Sequence, residues 1–380
     1  VMLRSERSWE RRAVALVAAV VGAGLLAPSP AGYAADRPDR PGRDGHPTAR
    51  LDDAGPGLRA AEVRLAATEQ TVEAEPFAMV GLTWRGAPRV VRVSTRSDGR
   101  WSAWQRLDVL RDGSQESPDQ SPVTGTDLAW VGEADAVRVD LSGARPDDLT
   151  LVLLDPTGTP SDQAAARLPD PATARARAGR LKPRLGSRAS WGADPSWRDG
   201  RPSYNRTIQQ VHVHHTVNSN DYAPGDVPGL LRGIYRYHTA NLGWSDIGYN
   251  FLVDRFGRTW VGRAGGAKKA VQGAHTLGFN STSTGVAVIG SFETTRPGRK
   301  VIGALARLAA WKLHRYGRDP AGRVRVWSHG SDRFALGRKV TLPAIDGHRD
   351  TNETACPGEL LYDRLPAVRR RAAALVAARR

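Results

Sequence analysis

Cysteine is all but missing from this 380-residue chain: Cys356 stands alone, so no internal disulfide can form. A fold stapled by disulfides is therefore excluded, and stability has to come from apolar packing. A 40% hydrophobic content and eleven tryptophans are enough for two modest cores, and the length suits two folded units with linkers. Long apolar runs are also lacking, with one exception near the start. Arg4, Arg7, Arg11 and Arg12 lead into the run from Ala13 to Val21, which continues to Leu25, Leu26 and Ala27. Pro28 and Pro30 break it, and small residues follow up to Ala34. This order is that of a secretory signal peptide over residues 1–34, too short for a comfortable membrane span of about 20 apolar residues. The expectation is a secreted protein with no stable membrane span once the signal is removed.

Negative charge is in deficit. Asp and Glu number 39 against 55 Lys and Arg, a formal charge of +16 in which arginine dominates the basic set. Such a chain is drawn to polyanions, whether nucleic acid, anionic lipid or the anionic polymers of a bacterial wall. A nucleic-acid binder would cluster its basic residues with base-stacking aromatics, whereas the arginines here are scattered, so nucleic acid is not expected as a partner.

Residues 35–74 read as a disordered leader, rich in Pro, Gly, Asp and Arg at its start. Residues 75–155 then read as β-rich. Phe77 to Trp84 is apolar, and Val91, Val93 and Thr95 alternate with Arg92, Ser94 and Arg96 before a turn at Asp98 and Gly99. Further strands are expected over 128–131, 136–141 and 149–154, giving a small all-β sandwich-like domain with no catalytic constellation. Residues 156–186 have the composition of a flexible linker, with some helix expected over 172–181. From 187 onward strands interleave with helices. Ile208 to Val213 is a β run, Leu230, Leu231, Ile234 and Tyr237 fall at helical spacing, and residues 301–316 repeat the helical pattern. This is an α/β domain with a central mixed sheet flanked by helices.

The chemistry-bearing residues lie in this second half. His212, His214 and His215 crowd the end of a β run. Far downstream, His348 and Cys356 stand eight positions apart, followed by the turn-forming pair Pro357 and Gly358. Imidazole and thiolate are preferred zinc ligands, and three protein ligands with one open position characterise a catalytic zinc. A zinc ion (Zn2+) as cofactor would also account for a lone thiol outside the cell, holding it as thiolate.

Ordered blocks make the reading sharper. Val213-His214-His215-Thr216, Trp244 through Phe251, Gly273-Ala274-His275, Gly278-Phe279-Asn280 and the closing 347–358 segment occur in one sequence order. In that order the chain resembles the peptidoglycan recognition protein family and the related N-acetylmuramoyl-L-alanine amidases over roughly residues 185–370. The resemblance implies His214, His348 and Cys356 as metal ligands, Tyr249 as a catalytic phenol and Thr354 as a donor to the oxyanion. It also implies His238, His275 and Asn280 as substrate-groove or supporting residues. His215 alternates to the other side of the strand from His214 and is not expected on the same metal. The implied substrate is the muropeptide of bacterial peptidoglycan, with anionic wall polymers as further partners. A non-catalytic recognition protein is the alternative, and the resemblance associates that role with loss of the cysteine.

Overall fold

The computed structural model describes residues 48–87, 89–110, 122–167 and 181–379. The expected signal peptide and residues 172–180 of the helix expected over 172–181 lie outside them. The N-terminal part is one hydrogen-bonded antiparallel sheet. Its central path runs Arg59–Arg64, Asp147–Asp155, Glu69–Arg85, Ala129–Leu141 and Val91–Ser97. The reading of residues 35–74 as disordered is corrected for the described part. Arg59–Arg64 is a strand, and the seventeen-residue strand Glu69–Arg85 begins well before Glu75.

The Asp147–Asp155 strand explains how this sheet is used. Its near-continuous apolar run, Leu149 to Leu154, serves two cores, because alternate residues of a strand face opposite sides. Leu149, Leu151 and Leu153 join Phe77, Val80 and Trp84 in the core of the sheet itself. Val152 and Leu154, with Leu58 and Met79, face the other way and pack against the second domain.

That second domain has the expected α/β architecture. Its six-stranded mixed sheet runs Leu185–Gly186, Thr259–Val261, Phe251–Val253, Ser283–Val288, Gln210–His215 and Ile345–Gly347. All pairings are parallel except the hairpin between Phe251–Val253 and Thr259–Val261. Arg299–Arg315 and Leu365–Ala377 cover one face, burying Leu305, Leu308, Leu313, Val368 and Ala372 on Val211, Val213 and Val286. The amphipathic helix Val227–Arg236 lies on the other side with Leu230, Leu231 and Ile234 buried. It continues into a π-helical turn, Tyr237–Asn241. A hairpin of Arg323–Trp327 with Lys339–Pro343 stands apart from the main sheet.

The two domains share a core rather than hanging on a tether. Leu58, Met79, Leu128, Val152 and Leu154 form one buried cluster with Leu230, Leu231, Ile234 and Tyr237. Contact is so close that a Cβ on Gly233 would stand 2.3 Å from the Met79 sulfur, and one on Gly125 would stand 2.4 Å from Leu242. The Tyr237 hydroxyl donates to the Leu82 carbonyl at 2.9 Å. Part of the expected flexible linker is built into this joint. Pro160–Ala166 is a helix whose Asp162 pairs with the buried Arg232, and Arg258 donates to the Ala165 carbonyl at 3.1 Å. The sequence reading missed this because Pro, Ala and Arg lack the apolar periodicity that marks a packed helix.

Candidate metal and catalytic site

The Gln210–His215 strand is buried along its whole length, and its alternation sorts the histidines. Val211 and Val213 enter the helix-covered core. His212 and His214 lie on the opposite face, each ring within 6 Å of His275: the centroids are 5.9 and 5.0 Å apart. Parallel pairing sets His212 beside Asp346, with Nδ1 and Oδ1 2.6 Å apart and both side chains inaccessible. Gln210 donates to the second carboxylate oxygen at 3.2 Å. Burial raises the Asp346 carboxyl above its ordinary range, against the pull of His212. Asp346 is a supporting residue that sequence reading missed, since its partner is reached only through strand register.

His214 is joined by His348 and Cys356 from the far end of the chain. One ligand atom from each of the three lies within 4.8 Å of the others, and all three residues are buried. His214 Nδ1 stands 3.8 Å from the Cys356 sulfur, and the His214 and His348 ring centroids are 4.6 Å apart. The loop that brings the distant pair in is closed by its own backbone, Arg349 N donating to the Cys356 carbonyl at 3.0 Å. It is pinned at two further points. The Asp350 carboxylate accepts from Gly347 N and from the Tyr362 hydroxyl, at 2.9 and 2.7 Å. Thr276 joins Thr351 and Asn352 through hydrogen bonds of 2.9 Å.

His238, His275 and Asn280 are expected in one of two roles, groove or support, and all three side chains are buried among supporting contacts. His275 is inaccessible and its Nδ1 lies 3.1 Å from His214 Nε2. That contact fixes a tautomer chain. For His214 Nδ1 to present a lone pair, Nε2 must carry the proton and donate to His275 Nδ1. His275 then carries its own proton on Nε2, 3.5 Å from the Ser283 hydroxyl. Asn280 accepts from the backbone N of His275 and Thr276, at 2.9 and 3.2 Å, and so fixes the loop that holds this ring. His238 accepts from Gly248 N at 3.0 Å and packs between Trp244 and Tyr249.

Burial, reinforced by His348 and His275, holds His214 well below its ordinary value, and burial does the same for His275. Both are neutral at physiological pH, the state in which imidazole binds a metal. His215 is pushed down to about 3, chiefly by burial. As expected, it faces elsewhere: its Nδ1 accepts from Phe292 N at 3.4 Å, while its backbone N approaches the Cys356 sulfur at 3.4 Å. The Tyr249 ring centroid lies 5.5 Å from that of His214. Thr354 Oγ1 accepts from Cys356 N at 3.1 Å, which fixes the oxygen and leaves the hydroxyl its proton to donate. A cavity of about 740 Å³ opens here, with His215, His348 and Thr354 in its wall.

Two imidazoles and a thiol, buried together and free of competing carboxylates in the donor set, fit zinc rather than a hard cation. Among the described residues no other group of three such donors is found, and no helix is long and apolar enough to cross a membrane.

Comparisons with known proteins agree with this architecture. Residues 204–359 match the N-acetylmuramoyl-L-alanine amidase family, and residues 35–175 match a family described as Rv3811 N-terminal galactose-binding domain-like. The chain is 33% identical to peptidoglycan-recognition protein 1 of Holotrichia diomphalia over 182 residues, 48% of this chain and 79% of the relative. It is 32% identical to the N-acetylmuramoyl-L-alanine amidase of Homo sapiens over 193 residues, 48% of this chain and 28% of the relative. Among solved structures, Drosophila PGRP-LB wild-type is 27% identical, with a TM-score of 0.38, covering 48% of this chain and 92% of its own.

Proposed function

Because the chain belongs to the family of N-acetylmuramoyl-L-alanine amidases and peptidoglycan-recognition proteins, we propose that it is a secreted zinc-dependent hydrolase of bacterial peptidoglycan. The bond cut is the amide between the lactyl group of N-acetylmuramic acid and the L-alanine of the stem peptide. The observation that carries this reading is the convergence of His214, His348 and Cys356 beside Tyr249, with His348 in the wall of an open cavity.

His214, His348 and Cys356 would hold the zinc. Bound there, the ion supplies Lewis acidity toward the scissile carbonyl and lowers the pKa of a water toward neutrality. The rest of the work falls to the chain. His275 keeps His214 in the tautomer with Nδ1 unprotonated. Tyr249 donates its phenolic proton toward the carbonyl oxygen as negative charge develops there. Thr354, anchored by Cys356 N, adds a neutral hydroxyl donor whose contribution is smaller than that of a charged group. Amide hydrolysis of this kind needs no acyl-enzyme, and Cys356 serves as a ligand rather than a nucleophile.

A recognition protein that holds muropeptide without cutting it is the second reading. It has no need of a full ligand set, and Cys356 is present, which favours the hydrolase. Digestion of purified peptidoglycan, with products resolved by mass spectrometry, tests the proposal: free stem peptides beginning in L-alanine are expected. Cys356→Ala should lower zinc stoichiometry and turnover by orders of magnitude. Full turnover by metal-free Cys356→Ala, or turnover that survives phenanthroline, would falsify the assignment.

A further inference from the structure

The cavity beside the metal ligands is not built by the catalytic domain alone. One wall carries His215, His348 and Thr354, and the other comes from the N-terminal domain with Arg89, Gln105 and Arg106. This second wall is fastened close to the ligands. Gln105 Nε2 donates to the carbonyl of Val217, two residues beyond His215, at 3.2 Å.

Charge is divided unevenly across the cavity. The catalytic side brings Glu293, Asp332 and Glu353. The N-terminal side brings Arg89 and Arg106, together with Asp108. Among the described residues, neither arginine makes an ion pair or a side-chain hydrogen bond, although Arg59, Arg92 and Arg96 of the same domain all do. Arg89 Nε is buried with no hydrogen-bond partner. The backbone holds Arg89 in place. Val90 N donates to the Ser142 hydroxyl at 3.1 Å, and Ser142 N donates back to the Val90 carbonyl at 2.9 Å. Gly143 sits at φ +80°, and a Cβ there would stand 3.1 Å from Arg89 Nη1, so the guanidinium lies against bare backbone.

We infer that Arg89 and Arg106 bind a free carboxylate of the stem peptide as it crosses the metal ligands, so the N-terminal domain reads the peptide that the catalytic domain cuts. This rests on the muropeptide reading above. A planar guanidinium with paired N–H donors suits a carboxylate, and a partly enclosed site strengthens the contact relative to open solvent.

The test uses the full chain and two synthetic muropeptides, identical except that the stem-peptide carboxylates are free in one and amidated in the other. Calorimetric titration should give an affinity at least about tenfold higher for the free form, the scale of a charge-assisted hydrogen bond. The double variant Arg89→Gln/Arg106→Gln should lose that preference while keeping its affinity for the amidated form. Arg100→Gln, at an exposed strand position of the same domain outside the cavity lining, should retain it. Equal affinity of the wild type for the two peptides, or none for either, overturns the inference, as does a preference that survives in the double variant. Failure of the hydrolase reading looks different: the preference is present and neither peptide is cut.

Discussion

Asp162 and Arg232 join the two domains by a buried bidentate ion pair, and removing one member tests whether the joint carries stability. Arg232 Nη1 and Nη2 lie 2.7 and 2.8 Å from the two Asp162 oxygens. The side chains are 1% and 7% exposed. Asp162→Ala leaves the guanidinium buried without its counter-ion, a change that costs about 3–5 kcal/mol. Arg232 keeps the carbonyls of Trp191, Gly57 and Thr157 at 3.1–3.3 Å, which places the expected loss near the lower bound, about 3 kcal/mol. At roughly 2–4 °C per kcal/mol for a protein above 150 residues, the midpoint should fall by about 6–12 °C. Urea unfolding reads the free-energy loss and thermal unfolding the midpoint, each followed by tryptophan fluorescence and far-ultraviolet circular dichroism. Adding Arg232→Met to Asp162→Ala removes the stranded charge and should recover much of the loss. The pH dependence gives an independent check. Burial raises the Asp162 carboxyl, but the hydrogen bonds from Arg232 and Thr159 and the Arg232 charge together outweigh it, and the folded value is lowered. The pair therefore stabilises fully above the unfolded carboxylate value of about 4, and its contribution fades as pH falls through the lower folded value. The gap between wild type and Asp162→Ala should narrow accordingly in acid. A loss under about 1 kcal/mol at neutral pH, smaller than the burial cost of a lone charge, would refute the reasoning.

Three further outcomes are expected. Tyr249→Phe removes one hydroxyl, so zinc content should hold while kcat drops by about a hundredfold or more, and an unchanged kcat reassigns Tyr249 to packing. His275→Ala should weaken zinc affinity by about 10–100-fold, read by competition with a chromogenic chelator, and unaltered affinity would remove it from the support of His214. A fragment starting at Lys182 exposes Leu230, Leu231 and Tyr237, so it should aggregate or lose activity equally on soluble muropeptide and whole walls. A monomeric, zinc-loaded, fully active fragment would show the domains to be independent.

Alternation at Val91, Val93 and Thr95 located a strand correctly, because half-buried strands write their period into the sequence. Helical spacing did the same for Arg299–Arg315. Arg59–Arg64 is hard to read as a strand because RAAEVR has a single β-branched apolar residue, Val63, among short and charged ones, as suits a lightly buried strand near the sheet edge. The group His214, His348 and Cys356 was legible through the ordered blocks, while the contact of His275 with His214 was not, since a ring-to-ring contact across 61 residues leaves no local pattern. Least legible of all was the two-domain cavity. Arg89 and Arg106 look like any other exposed arginine until register and domain packing set them opposite His348 and Thr354.

The strand that faces two cores also bears on how the chain matures. Emerging from its N-terminus, the protein completes the Asp147–Asp155 strand long before the Val227–Arg236 helix that covers Val152 and Leu154. Ribosomes deliver about 5–20 residues each second, so the intervening chain occupies several seconds. Over that interval Leu58, Met79, Val152 and Leu154 form a sticky, solvent-facing patch on an otherwise finished sheet. A nascent domain in that condition is a natural client for a holdase, and a chain kept unfolded until it has crossed a membrane avoids the exposure altogether.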